Sequence, residues 1–415
     1  MKHKPHIVFL CPTFDYPSPR NLRVKGLLPC LQIHYKISIV ALTSESRNVE
    51  IEHAKYATIY RAPYSRISRY ITNKRYSDHK LNRTLLTASR ICSYLLKKYY
   101  LFPDVWISEK QNLVGVLSSL EQKPDVLVAS MMPFSMADTA IDFLKTSGLK
   151  NKVPLILDIG DPLTDNVVKM THKKSSQVFE YECEILKSAD HIVVTNDATK
   201  HLYADQFGID TVDLSVIQQG SILPDWAELA DSGSSTLPVK LHYAGLFIDS
   251  VRDPRKLFTE LSGHTISIKV SVAGSIDQIF QANADHIDFV GMIPWENIDS
   301  FYRSADCLLF LDNRSGIQTS GKIYELLATR KPILFCYDNT DSQVKKECED
   351  FGHVIFVKND AQNLKKKLEN LPALIEKSRQ WLKSEEGISF KTEQFSWNER
   401  AVRFRVVINK LLELH

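Results

Sequence analysis

The sequence predicts an α/β protein made of two doubly wound, mainly parallel sheets. Three observations carry that expectation. Short apolar runs rich in β-branched residues recur along the chain, segments of helical periodicity separate them, and one polar stretch interrupts the alternation near the middle. The first series of strands reads HIVFLC, KISIVAL, PDVLVAS, VPLILDI, DHIVVTN and DLSVIQQ. QQGSILPDWAELADSGSSTLP then collects Gly, Ser, Pro and Asp and breaks the pattern as a linker. The second series reads VKLHYAGL, SIKVSVAG, HIDFVGM, DCLLFLD, KPILFCY and HVIFVKN, with helices such as ENIDSFYRSA and GKIYELLATR between them. The domains expected are therefore residues 1–217 and 239–388, with 218–238 as the linker. Residues 389–415, ending in the periodic SWNERAVRFRVVINKLLELH, form an amphipathic helix after the second domain is complete.

A chain of 415 residues has ample material for two cores. The 52 basic and 49 acidic residues leave a net charge of +3, too balanced to imply a nucleic-acid partner. The charge is uneven, however. Between Arg61 and Tyr100 there are ten Lys or Arg and one acid, Asp78, interleaved with Tyr, Ile and Leu. This stretch reads either as a solvated helical face or as a surface for anionic lipid or an anionic acceptor. Seven scattered cysteines without a Cys-x-x-Cys pair argue against disulfides and zinc and fit a reducing cytoplasm. The N-terminal apolar run is of strand length and no stretch is long enough to span a bilayer, so any membrane contact is expected to be peripheral.

Paired Rossmann-like domains bind ligands at the carboxyl ends of their strands. Neither half contains Gly-x-Gly-x-x-Gly or a phosphate loop, and SGK at Ser320–Lys322 lacks the earlier glycine such a loop needs. Dehydrogenase and P-loop chemistry are disfavoured. What remains is an enzyme that grips a diphosphate by other means.

The residues also carry a family likeness. Trp106 after PD, DVLVASMMPFS, LILDIGDP and YECEILKSADHIVVTND in the first half resemble blocks of GT-B glycosyltransferases, specifically glycosyltransferase family 4. LHYAGLFIDSVRDPRKL, IDFVGMIPWENIDSFYRSADCLLFL, SGKIYELLATRKPIL and FSWNERA extend the resemblance through the second half. It implies two Rossmann-like domains facing a central cleft. The first would be the acceptor domain, the second the nucleotide-sugar domain, and the last helix would cross back.

The resemblance also places candidate residues. Glu325 matches the second acid of the family's paired-glutamate motif, where a carboxylate one turn inside a helix accepts from both ribose hydroxyls. Ser320, Gly321 and Lys322 offer that helix's unpaired N–H groups to a diphosphate. The first acid of the motif is replaced here by Ile317. After the strand-ending Gly245, Arg252 and then Lys256 are the basic residues that would meet leaving-group charge. The family's usual Arg directly after that glycine is Leu246 here, and an alternative places Arg252 on the surface, paired with Asp249 or Asp253. Gly291, Met292 and Ile293 match a nucleobase-binding loop. In the first half, Arg20 and Arg23 could reach the donor or an anionic acceptor, or cap their own loop. Asp161 matches an acid at a strand's carboxyl end that would stabilise developing positive charge or orient the acceptor hydroxyl. Its alternative is an Asp-Pro turn. Ala137 stands where many members have a His.

No histidines are spaced for a metal, and ECE at 182–184 and ECED at 347–350 read as exposed helix acids. The expected function is transfer of a sugar from a nucleotide-diphosphate sugar to a hydroxyl of a lipid-linked or surface-glycan acceptor. The resemblance implies a retaining reaction with no metal and no cofactor beyond the co-substrate. The setting expected is cytoplasmic, peripheral at the inner face of the membrane. A nucleotide-sugar epimerase and a non-catalytic binding partner are the alternatives.

Overall fold

The structure, a computed structural model, describes residues 4–16, 18–43, 48–65, 101–164, 175–226, 237–265, 267–274, 280, 284–294, 297–314 and 319–414. The chain divides into two compact units, residues 1–218 with 400–415, and residues 219–399.

The first unit is built on an eight-stranded sheet: β1 (His6–Leu10), β2 (Lys36–Thr43), β3 (Glu50–His53), β4 (Thr58–Pro63), β5 (Val126–Ser130), β6 (Leu155–Ile159), β7 (His191–Val194) and β8 (Leu214–Val216). Its order is β3-β4-β2-β1-β5-β6-β7-β8, parallel throughout except for the antiparallel β3–β4 pair. Every residue of β1, β5 and β6 is buried, as befits central strands covered on both faces. Val8 and Leu10 point into the core shared with the helices Lys110–Ser118, Ser135–Thr146 and Ser175–Lys187. Phe9 points the other way and packs on Phe404, ring centroids 6.2 Å apart. Phe404 belongs to the helix Trp397–Leu414, which buries Ala401, Phe404, Ile408 and Leu411 at helical spacing. Tyr35 Oη donates to Asn409 Oδ1 of that helix at 2.6 Å.

The second unit is a six-stranded, wholly parallel sheet of β9 (Val239–Ala244), β10 (Ile268–Ala273), β11 (Ile287–Gly291), β12 (Cys307–Leu311), β13 (Ile333–Tyr337) and β14 (Val354–Lys358). The order is β11-β10-β9-β12-β13-β14. Along β12, Cys307, Leu309 and Leu311 face the core that takes Leu257, Phe258 and Leu261 from the helix Arg255–Leu261. Leu308 and Phe310 face the opposite core, which takes Ile323, Leu326 and Leu327 from the helix Lys322–Ala328. Each sheet therefore has one point where the strand order turns back on itself, between β1 and β5 in the first and between β9 and β12 in the second. Loops diverge at such points and leave room for ligands at the strands' carboxyl ends. No helix among the described residues is long and apolar enough to cross a membrane.

β3 and β4 were not expected from sequence. Glu-Ile-Glu-His has no apolar run and is exposed throughout, because it is an edge strand held only by pairing with β4.

Candidate functional site

In the second unit, the turning point gathers side chains distant in sequence. Arg252, in the segment after β9, donates from Nε to Asn313 Oδ1 at 2.7 Å. Asn313 follows β12, and its backbone N–H donates to Asp312 Oδ1 at 2.8 Å, while Ser342 Oγ donates to Asp312 Oδ2 at 2.5 Å. Burial holds the Asp312 carboxyl above its ordinary range, opposed by those bonds and by the charge of Arg252. Asp249 and Asp253 pair instead with Arg255, whose guanidinium lies 2.6 Å from Asp253 and within contact of Asp249. Arg252 is thus a braced, half-buried guanidinium at the turning point. Lys256 is exposed, its Nζ 3.5 Å from the Asn359 carbonyl.

Glycine shapes the strand ends here. Gly245 N–H donates to the Ala273 carbonyl at 2.9 Å and Gly274 N–H to the Gly291 carbonyl at 2.8 Å. Gly274 has φ +137°, and a Cβ there would lie 2.0 Å from the Gly245 carbonyl oxygen. Only glycine permits this approach of β10 to the loop that leads to Arg252. Gly291, the last residue of β11, and Met292 are exposed, whereas Ile293 packs against the core that contains Tyr302.

The helix Lys322–Ala328 begins after Ser320 and Gly321, with Glu325 in its first turn. Its apolar residues face the core, leaving Lys322 and Glu325 half-buried on the other side. Lys322 Nζ donates to Glu325 Oε2 at 2.7 Å. Burial alone would lower the Lys322 pKa, but the charge of Glu325 and the nearby Tyr302 phenol hold it above its ordinary value. Glu325 lines a cavity of about 410 Å³ with Tyr302, Thr329, Ile298, Asp299 and the segment Ser221–Asp225. Arg252 and Lys322 are also linked. The charges of both act on the buried Tyr243 phenol, opposing the upward shift that burial imposes. Tyr243 lies near the carboxyl end of β9.

In the first unit, Arg20 and Arg23 follow the N-cap Ser18 of the helix Pro19–Leu31. Both meet Asp158 on β6. Arg23 Nε lies 3.0 and 2.9 Å from the two carboxylate oxygens, and Arg20 Nη2 lies 2.7 Å from Oδ2. Burial would raise the Asp158 pKa, but the two guanidiniums outweigh it and hold the carboxyl below its ordinary range. Arg23 is wholly buried and also donates to the Gln218 carbonyl at 2.9 Å. Its position is internal, and removing Asp158 would strand a charge in the core. Arg20 instead lines a cavity of about 470 Å³ together with Asp161, Thr13, Ser18, Asp104 and Trp106. Of the three first-unit candidates, Arg20 and Asp161 share a cavity, and Arg23 is buried and not among its lining residues. Arg61, which opens the basic stretch, is bonded to Asp15 and Glu52. Residues 66–100 and Ile317 lie outside the described residues.

No protein-family model matches the chain, and no curated protein matches it in sequence. Solved structures do match over its full length. Sucrose-phosphate synthase from Thermosynechococcus elongatus superposes with a TM-score of 0.64 at 12% identity, covering 99% of this chain and 100% of that one. Anabaena HepE, in complex with UDP and glucose, gives 0.63 at 10% identity over 98% and 100%. The lipopolysaccharide outer core galactosyltransferase WaaB gives 0.57 at 13% identity over 98% and 99%. The fold is GT-B.

Within this GT-B fold, sequence reasoning missed two residues beside the candidates. Asn313 carries no motif, and its meaning lies in a bond to Arg252, 61 positions away. Glu182 was expected to be an exposed helix acid and is fully buried. It accepts from the Leu163 and Thr164 N–H groups at 2.8 and 2.7 Å, from Thr164 Oγ1 at 2.5 Å and from Tyr203 Oη at 2.9 Å. Those donors offset the cost of taking the carboxylate out of water. Its position is the one available signal. Glu182 falls on the same helical stripe as Val178, Ile185 and Leu186, where an apolar residue belongs. Glu347 is half-buried and accepts from Tyr324 Oη at 3.0 Å, while Glu184, Glu349 and Asp350 are exposed.

Proposed function

We propose that the protein transfers a glycosyl group from a nucleotide-diphosphate sugar to a hydroxyl of a lipid-linked or surface-glycan acceptor, with retention of anomeric configuration and without a metal ion. The observation that carries this is Arg252 held by Asn313 at the turning point of the second sheet, with Glu325, paired to Lys322, lining a cavity of the same unit. As the sugar–phosphate bond breaks, negative charge grows on the leaving diphosphate. Two fixed cations in a partly desolvated setting stabilise that charge more in the transition state than in the bound donor. Glu325 takes the ribose hydroxyls, Ser320 and Gly321 present backbone to the diphosphate, and Gly291–Ile293 meets the nucleobase. In the first unit, Asp161 accepts from the acceptor hydroxyl and Arg20 borders the acceptor. The neighbours described as UDP complexes and as a lipopolysaccharide galactosyltransferase support a UDP-sugar donor and a glycan acceptor.

The test is incubation of the purified protein with UDP-glucose, UDP-galactose and UDP-N-acetylglucosamine, with octyl glycosides as acceptors and with excess EDTA. Transfer is expected at the same rate with and without chelator, because the cationic side chains carry the role a divalent ion would have. Transfer abolished by EDTA and restored by magnesium or manganese overturns the metal-free mechanism. Epimerised nucleotide sugar without transfer supports the epimerase alternative, and neither product supports a binding partner.

We further infer that the basic segment 61–100 holds the protein at an anionic membrane face. Each Lys or Arg near such a surface contributes about 1 kcal/mol. Sedimentation with phosphatidylglycerol-containing vesicles should exceed that with phosphatidylcholine alone and fall as salt rises. Equal sedimentation with both vesicles would leave this stretch as a solvated face.

A further inference from the structure

We propose that Glu182 is a positioning residue that fixes the loop carrying Asp161 in the geometry acceptor binding needs. This rests on the transfer reading above, which gives Asp161 to the acceptor. The loop after β6 runs Gly160-Asp161-Pro162-Leu163-Thr164 and is tied on both sides of Asp161. On one side, Thr195 Oγ1, beyond the end of β7, donates to the Gly160 carbonyl at 2.9 Å. On the other, the Glu182 carboxylate takes the Leu163 and Thr164 N–H groups and the Thr164 hydroxyl, at 2.8, 2.7 and 2.5 Å. Pro162 has no N–H of its own to anchor the turn.

Packing does not require an acid at this position. The helix Ser175–Lys187 buries Val178, Ile185 and Leu186, and position 182 completes that stripe, so Leu or Met would fill it. A fully buried carboxylate is costly unless every lone pair finds a donor, and here three of the four donors come from the Asp161 loop. The fourth, Tyr203 Oη, is itself buried and holds the carboxylate's orientation. Glu182 does not line the cavity where Asp161 and Arg20 meet, so its influence passes through the loop backbone.

The test compares Glu182→Gln and Thr164→Val with the parent. Gln keeps the volume but turns one accepting oxygen into a donor facing a donor. Val removes one hydroxyl contact and leaves both backbone bonds. Thermal unfolding and circular dichroism establish which variants are folded, and UDP affinity reports the second unit separately. Transfer from UDP-glucose to octyl glucoside then gives kcat and the acceptor KM. Misplacing a reacting group by about 1 Å can cost on the order of 10² in rate, so Glu182→Gln should lose about ten- to hundredfold in acceptor kcat/KM. Thr164→Val should lose less, and UDP affinity should stay within about twofold of the parent for both. If Glu182→Gln does not fold, Thr164→Val decides alone, and it must still show a selective loss in acceptor kcat/KM. Folded variants with parental acceptor kcat/KM overturn the proposal, as does an equal loss of UDP affinity, which would mark a general structural role. A parent that transfers to no acceptor overturns the transfer reading and this proposal with it.

Discussion

Arg252→Ala should lower turnover by about 10²- to 10³-fold while UDP affinity changes only a few-fold, the scale seen when one donor to a developing anion is removed. The expectation follows from where the guanidinium sits. Its Nε is committed to Asn313, whose backbone N–H donates to Asp312, itself held by the Ser342 hydroxyl, so the group is held before a donor arrives. A preorganised cation of this kind has little reorganisation to undergo as charge grows on the leaving oxygen, and its contribution is made in the transition state. The two acids nearest to it in sequence, Asp249 and Asp253, pair with Arg255. Steady-state kinetics at saturating donor, with UDP binding by calorimetry, separates the two effects. A variant that loses UDP affinity and turnover in equal measure would place Arg252 in ground-state binding instead.

Glu325→Ala should fail in the opposite way, weakening UDP binding by about ten- to hundredfold with a smaller effect on turnover. A hydrogen bond to a charged group contributes roughly 1.5–3 kcal/mol, which corresponds to that range. The ion pair with Lys322 adds a second consequence. Removing the carboxylate releases Lys322 towards phosphate and offsets part of the loss for UDP. Uridine, which has no phosphate, gains nothing from the released lysine and should lose more than UDP does. Glu325→Gln, which keeps one acceptor and also frees Lys322, should fall between parent and Ala. Both residues are only half-buried, so the variants should remain folded. If Glu325→Ala binds uridine and UDP as tightly as the parent, the acid serves only the helix and its lysine, and the ribose site lies elsewhere in the second unit.

The central strands were legible because both faces of each sheet are covered. HIVFL, VLVAS and CLLFL are buried at every position and almost wholly apolar, with His6 and Ser130 as the polar exceptions, and no helix-period pattern competes with them. β3 was not legible for the converse reason, since an exposed edge strand needs no apolar residue. At the candidate site, Glu325 and Arg252 could be nominated from local context, a helix start and a strand-ending glycine. What could not be read were the partners. Asn313 braces Arg252 across 61 positions, and Asp158 draws Arg23 inside across 135. Glu182 looked exposed because Tyr181, Cys183 and Glu184 around it do not form an apolar run, and its donors come from a loop 18 and 19 residues earlier and from Tyr203, 21 residues later. Pairings between distant elements depend on topology, which a single chain's pattern does not encode locally.

The division of the chain has a consequence for how it is made. The second unit is contiguous and is complete once Glu399 has been added, but the first is split and needs residues 400–415. A ribosome therefore releases the eight strands of the first sheet long before the helix that covers Phe9 exists. Through the synthesis of about 180 intervening residues, at roughly 5–20 residues per second, the part of that nascent sheet around Phe9 waits for its helix. The later-made unit can thus finish first. Premature termination just before Phe404 would leave a protein with a complete second unit and a first unit open to chaperones and proteases.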